Sequence, residues 1–188
     1  MLTKKEIRKA VLAERSALDE ETVALSSQVI CRKLMEIDAY EEATDVCLYM
    51  PMRNEVDVLL LAEPAMEEGK RVWVPKVTDK EAGVMVFNRF TGLGEEDIVT
   101  GAYDIRESRS EEILEPGEGT LIILPGAVFT PWRDRIGYGG GFYDRYLQAH
   151  PQCRTIAVCY DLQVVDELPA EEHDMKPDYV VCETGVFR

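Results

Sequence analysis

Between Leu121 and Leu147 the chain reads LIILPGAVFTPWRDRIGYGGGFYDRYL: an apolar strand, a basic loop, a run holding four glycines, and a short helical stretch. The glycines are Gly137, Gly139, Gly140 and Gly141. So many close together cost conformational entropy, which is tolerated where backbone must reach positive φ or be approached without a Cβ in the way. A strand that passes through such a turn into a helix leaves amide N–H groups at a helix N-terminus, a seat for phosphate oxygens. Arg135 adds a fixed positive charge two residues before Gly137. Asp144, on the first turn after the glycines, is a carboxylate of the kind that holds Mg²⁺ bridging phosphates. The Walker pattern GxxxxGK[ST] is absent, and Phe142 stands where GxGxxG needs its last glycine. The glycines alone read equally as a surface turn. Arg135, Tyr138, Phe142, Tyr143 and Asp144 crowded around them favour a nucleotide-phosphate site.

The rest of the chain supplies the frame for that turn. Thr3-Lys4-Lys5-Glu6 fits a capping box, and Ile7, Val11 and Leu18 continue an amphipathic helix to about Leu18. Lys4 and Arg8 are four apart and share a face, which reads as a solvated face on spacing alone. A second helix is expected from Glu20 to Ile37, with Val23, Val29, Ile30 and Leu34 inward. Asp45 to Met50 reads as a buried strand, Val58 to Glu68 as a helix closed by Gly69, and Arg71 to Pro75 as the next strand, a right-handed βαβ unit. Val84 to Phe90 alternates as a hairpin strand, and Thr91 to Gly119 is mostly loop with short elements. Leu121 to Leu124, a helix from Gly141 to Ala149, and Thr155 to Cys159 make a second βαβ unit, with a last strand at Tyr179 to Cys182. This alternation predicts a three-layer α/β/α, Rossmann-like single domain over residues 1–188 with a largely parallel, mixed sheet. Ligands of such sheets sit beyond the carboxyl ends of the strands. That puts Glu55, Lys76 and the Arg135 to Asp144 loop on one rim.

A formal net charge of −15 argues against a nucleic-acid polymer as partner, while a compact anion such as ATP needs only a local positive pocket. The five cysteines are odd in number, widely spaced and set in apolar runs, so they read as core residues rather than disulfides or a zinc site. The N-terminal stretch lacks the apolar core of a signal peptide, and no run is long enough to span a membrane. The expectation is a cytoplasmic protein acting on small molecules, as a monomer or weak homodimer.

The basic N-terminal helix, the acid of the YMPMRNEVD segment, PGAVF…RIGYGGGFYDRYL and the closing HDMKPDYVVCETGV together resemble the 5-formyltetrahydrofolate cyclo-ligase (methenyltetrahydrofolate synthetase) family over nearly the whole chain. The resemblance implies that ATP, with Mg²⁺, drives closure of 5-formyltetrahydrofolate to 5,10-methenyltetrahydrofolate with release of ADP and phosphate. It implies ATP contacts at Lys4, Arg8, Arg135, Ile136, Gly137, Tyr138, Gly139, Gly140, Gly141, Phe142 and Tyr143. Met50, Glu55, Tyr138, Gly139, Gly140, Gly141 and Phe142 are implied for the folate, Asp144 and Asp174 for magnesium, and Arg135 for catalysis. The chain departs from the family pattern at Thr130, usually Asp; at Trp132-Arg133-Asp134, usually a more glycine-containing turn; at Ser108, usually Pro; and at Phe142, usually Tyr.

The residue types suit that chemistry. A formamide carbonyl is a poor electrophile with a poor leaving oxygen, and phosphorylation of the oxygen cures both defects. N10 of the folate can then attack, so the protein needs no nucleophile of its own, only positioning and charge neutralisation. Read without the resemblance, Asp144 serves equally as a helix N-terminal charge and Asp174 as a turn residue. Two other functions fit the same scaffold: a non-catalytic folate- or nucleotide-binding module, and an ATP-independent sugar-phosphate isomerase or acyl-CoA transferase.

Overall fold

A computed structural model describes residues 2–169 and 175–188. Its first half carries helices α1 (Lys4–Ser16), α2 (Glu20–Met35) and α3 (Asp38–Glu41), strand β1 (Asp45–Cys47), and helix α4 (Ala62–Glu67). Strands β2 (Arg71–Asp79), β3 (Val84–Arg89), β4 (Ile98–Thr100), β5 (Arg106–Ser108) and β6 (Thr120–Leu124) follow. The chain continues through β7 (Val128–Phe129), β8 (Arg135–Ile136), helix α5 (Phe142–Ala149), β9 (Arg154–Val158), β10 (Tyr179–Val181) and β11 (Val186–Phe187).

Seven strands form the main sheet in the order β11-β10-β9-β6-β1-β2-β3. The five inner strands run parallel, and β3 and β11 pair antiparallel at the edges. Alternation along β6 divides the core. Leu121 and Ile123 pack with Ile30 and Leu34 of α2 on one face, while Ile122 and Leu124 pack with Tyr146 and Leu147 of α5 on the other. The result is the expected three-layer mixed sheet. The chain moves outward from β1 to β2, then returns to place β6 on the other side of β1. The carboxyl ends of β1 and β6 therefore diverge around a topological switch point.

Several local expectations shift. The stripe α2 buries is Ser27, Ile30, Cys31 and Leu34, so Val29, one step off that period, is 39% exposed rather than inward, and Val23 is only half-buried. The helix also stops at Met35, before Ile37, and the chain turns into α3. Val58–Leu61 is a 3₁₀ turn, and the α-helix begins only at Ala62, which leaves Pro64 in its first turn where a missing N–H is tolerated. Gly69 ends α4 at φ +81°, with the Lys70 amide donating to Ala65 O at 2.9 Å. Strand β1 is shorter than expected and β2 longer, so Lys76 lies inside β2, paired with β3, rather than in a loop on the rim. Thr130, 0% exposed, accepts the Asp134 amide, and the buried Ser108 hydroxyl donates to Arg89 O at 2.6 Å. All five cysteines are buried and free, and no described helix is long and apolar enough to cross a membrane.

Candidate active site

The crevice that a switch point leads one to expect falls between the loop after β1, which carries Glu55, and the chain after β6, which forms the β7–β8 hairpin and then the glycine turn. Helix α1 closes the third side. Its capping box forms as expected, with the Thr3 amide donating to Glu6 Oε2 at 2.8 Å and the Glu6 amide to Thr3 Oγ1 at 3.3 Å. Val11 of α1 then packs on Ala127, Val128 and Ile136 of the hairpin. That docking brings Arg8 to the glycine turn, where Nη1 donates to Gly137 O at 3.3 Å. Lys4 lies one turn earlier on the helix and is half-buried.

Within the turn, Gly139 has φ +95° and Gly141, the N-cap of α5, has φ +67°, conformations that L side chains rarely adopt. A Cβ on Gly139 would stand 3.4 Å from Arg8 Nη1, so the cation lies directly against the bare backbone. The Gly140 carbonyl accepts from Arg145 Nη1 at 2.8 Å. Tyr138 spans the crevice. Its hydroxyl accepts from Arg15 Nη1 at 2.6 Å and donates to Glu55 Oε1, with Gly126 O a further acceptor at 3.3 Å. The residue is 45% exposed although its hydroxyl is hydrogen-bonded, and burial pushes the phenol's pKa up.

Glu55 is 9% exposed, and its other oxygen, Oε2, accepts the Met52 amide at 2.9 Å. Burial raises its pKa; the Tyr138 hydroxyl, the Met52 amide and the charges of Arg15 and Arg53 oppose the rise. Arg135 lies beneath the glycine turn, 7% exposed, with Nη1 donating to Pro125 O at 3.1 Å and Nη2 paired with Asp144 Oδ1 at 2.5 Å. Its Nε is buried without a hydrogen-bond partner among the described residues.

The structure thus brings Arg8, Glu55, Arg135, Gly137, Tyr138, Gly139, Gly140, Gly141 and Asp144 together. It sets others deeper. Met50, at 4% exposure, and Ile136 belong to the core, and Tyr143 packs against both faces' clusters. Phe142 is half-buried, edge-on to Tyr103 at 6.0 Å. Asp174 lies outside the described residues, and among the described residues no three His, Cys, Asp or Glu side chains converge as a metal site.

Three contributors went unread in the sequence. Arg15 had a signal, since it follows Arg8 by two helical turns and shares its face. Asn54, at φ +59°, ties the Glu55 loop to the end of α1 by donating Nδ2 to Leu18 O at 2.8 Å. Gln163, 2% exposed, donates to Gly126 O at 3.0 Å and Ala127 O at 2.9 Å, fixing the floor of the crevice. Nothing in its sequence surroundings announces that.

Comparison with known proteins adds a direct line. A model of the 5-formyltetrahydrofolate cyclo-ligase family matches residues 1–183. The 5-formyltetrahydrofolate cyclo-ligase of Escherichia coli strain K12 is 29% identical over 177 residues, covering 92% of this chain and 96% of that protein. A probable 5-formyltetrahydrofolate cyclo-ligase of Schizosaccharomyces pombe is 27% identical over 205 residues, covering 100% of this chain and 98% of that one. Among solved structures, the 5,10-methenyltetrahydrofolate synthetase of Aquifex aeolicus superposes with a TM-score of 0.83 at 30% identity, covering 100% of this chain and 93% of its own. That of Mycoplasma pneumoniae superposes with a TM-score of 0.77 at 25% identity, covering 97% and 99%.

Proposed function

The chain belongs to the 5-formyltetrahydrofolate cyclo-ligase family, and from that premise we propose that it closes 5-formyltetrahydrofolate to 5,10-methenyltetrahydrofolate in the crevice between β1 and β6, converting ATP to ADP and phosphate. The observation that carries the assignment to this crevice is the meeting of three segments remote in sequence. Arg8 and Arg15 of α1, Glu55 after β1 and Tyr138 in the glycine turn form one connected set of hydrogen bonds.

The formyl oxygen takes the γ-phosphoryl group, and the P–O bond to ADP breaks. N10 then bonds to the formyl carbon and gives up its proton, and phosphate departs with the former formyl oxygen and that proton as hydrogen phosphate. The protein's work is to align the reactants and to neutralise charge on the phosphate oxygens. Lys4 and Arg8 clamp the triphosphate from α1, and the bare backbone of Gly139 to Gly141 receives it from below. Arg135 holds the turn in shape through Pro125 and Asp144 and adds positive charge under it. Glu55 receives the folate, Tyr138 moving or sharing its hydrogen bond as it does so.

Magnesium carried on ATP asks a protein for only one or two carboxylates, and Asp144 fits that demand. Asp144 keeps 38% of its side chain exposed beside the turn, and Asp174 is the second carboxylate assigned. When bound, the ion shields the charge on the phosphates. The reading also takes the chain as one domain acting on small molecules in the cytoplasm, as a monomer or weak homodimer.

The test is ADP release that depends on 5-formyltetrahydrofolate, with and without magnesium, followed together with the absorbance of the methenyl product. Arg135→Ala is expected to lower kcat by about 10²–10³, the usual loss for one preorganised donor, while thermal melting shows a folded protein. Full activity in that variant overturns the role of Arg135. Tight binding of both ligands with no ADP formed replaces the ligase with a binding module.

A further inference from the structure

Arg15 lies on the buried side of α1 with 3% of its surface exposed. A buried guanidinium is costly unless its N–H groups are engaged. The favourable field at a helix C-terminus accounts for a positive charge in the last turn of α1. It does not account for burial, nor for a 2.6 Å bond to a hydroxyl 123 residues away, with the guanidinium carbon 5.6 Å from the centroid of the same ring.

The consequence of that bond follows from valence. Arginine only donates, so the Tyr138 oxygen is the acceptor and its proton must turn elsewhere. Glu55 Oε1 takes it, and Glu55 Oε2 is already held by the Met52 amide. The carboxylate is thereby fixed at both oxygens, one of them through Arg15. Asn54, beside Glu55, binds the chain just past α1, and Arg8, two turns earlier on the helix, binds Gly137 O. The helix is a rigid strut between the acid and the glycine turn.

We propose that Arg15 is a positioning residue for the cyclo-ligase reaction: acting through Tyr138 it sets Glu55 for the folate, and, through the helix it shares with Arg8, it couples folate binding to nucleotide binding. This rests on Glu55 as the folate contact and Arg8 as a phosphate contact. Coupling of this kind is reciprocal, so nucleotide must tighten folate by the factor that folate tightens nucleotide.

The experiment titrates 5-formyltetrahydrofolate into the protein with and without a non-hydrolysable ATP analogue. It compares wild type, Arg15→Gln, Arg15→Lys, Tyr138→Phe and the double variant of Arg15→Gln with Tyr138→Phe. The analogue is expected to tighten folate in the wild type by about fivefold or more, the lower end of ordinary coupling, and Arg15→Gln to abolish that gain. At saturating ATP, Arg15→Gln should raise KM for the folate about tenfold and leave kcat within about threefold, the pattern of lost binding rather than lost chemistry. Arg15→Lys, which keeps charge without the planar fork, recovers part of the loss. The double variant should be no worse than the weaker single, because the two act through one bond. If Arg15→Gln does not fold, Tyr138→Phe in wild-type and Arg15→Lys backgrounds gives the same comparison. Full additivity, or a lowered melting temperature with unchanged KM and unchanged coupling, overturns the proposal. A wild type that couples its ligands but releases no ADP refutes the reaction and not the role of Arg15.

Discussion

Glu55 is held buried at some cost to the fold. Its carboxyl is pushed above the ordinary 4.5, first by burial. Between 4.5 and the raised value the folded protein binds more protons than the unfolded chain, so this group's contribution to stability is present below 4.5 and lost as pH rises through the folded value. Glu55→Gln keeps an oxygen for the Met52 amide and removes the charge. Its melting temperature should exceed that of the wild type at neutral pH, with the difference closing in scans below pH 4.5. Its KM for the folate should rise. A variant less stable than wild type at neutral pH would mean that the hydrogen bonds outweigh the burial penalty. The place of Glu55 beyond β1 was readable in the sequence. Its hold on Tyr138 was not, because a side chain bridging two loops leaves no periodic trace.

At the scale of elements, the glycine turn and α1 work as a pair. Gly139→Ala forces an L residue to φ +95° and puts a methyl 3.4 Å from Arg8 Nη1. Strain of that sort costs roughly 1–3 kcal/mol, so denaturant titration should show a loss in that range, and KM should rise more for ATP than for the folate. Asn54→Ala strands the Leu18 carbonyl and places alanine at φ +59°. The expected cost is about 1–2 kcal/mol, with the folate KM now the more affected of the two. The N-terminus of α1 and the glycine turn were legible because each has a local cause, a capping box in one and missing Cβ atoms in the other. The β7–β8 hairpin was not, since each strand is two residues long and too short for alternation to register. Val29 was misassigned for a related reason. Adjacent apolar residues in α2 compete for one inward stripe, and packing chooses between them.

For the molecule as a whole, the order of strands decides where chemistry can occur. Alternating apolar runs foretold a layered parallel sheet, but only the pairing of β1 with both β2 and β6 fixes the switch point beneath Glu55 and the glycine turn. The cysteines report on the integrity of that sheet. Burial raises the pKa of all five thiols, that of Cys31 to about 12, so a disulfide reagent at neutral pH should label almost none in the native protein and five in strong denaturant. Rapid native labelling would show that the layers open readily.

The hydrogen bonds from α1 to the glycine turn join residues 129 and 123 apart in the chain. Closing so long a stretch has to wait for the intervening strands to assemble, and distant contacts slow folding. On dilution from denaturant, the capacity to bind nucleotide should therefore return in a later kinetic phase than the far-ultraviolet dichroism of the backbone. During synthesis, Arg8 and Arg15 are made 129 and 123 residues ahead of the partners they grip, and α1 must wait that long to meet them.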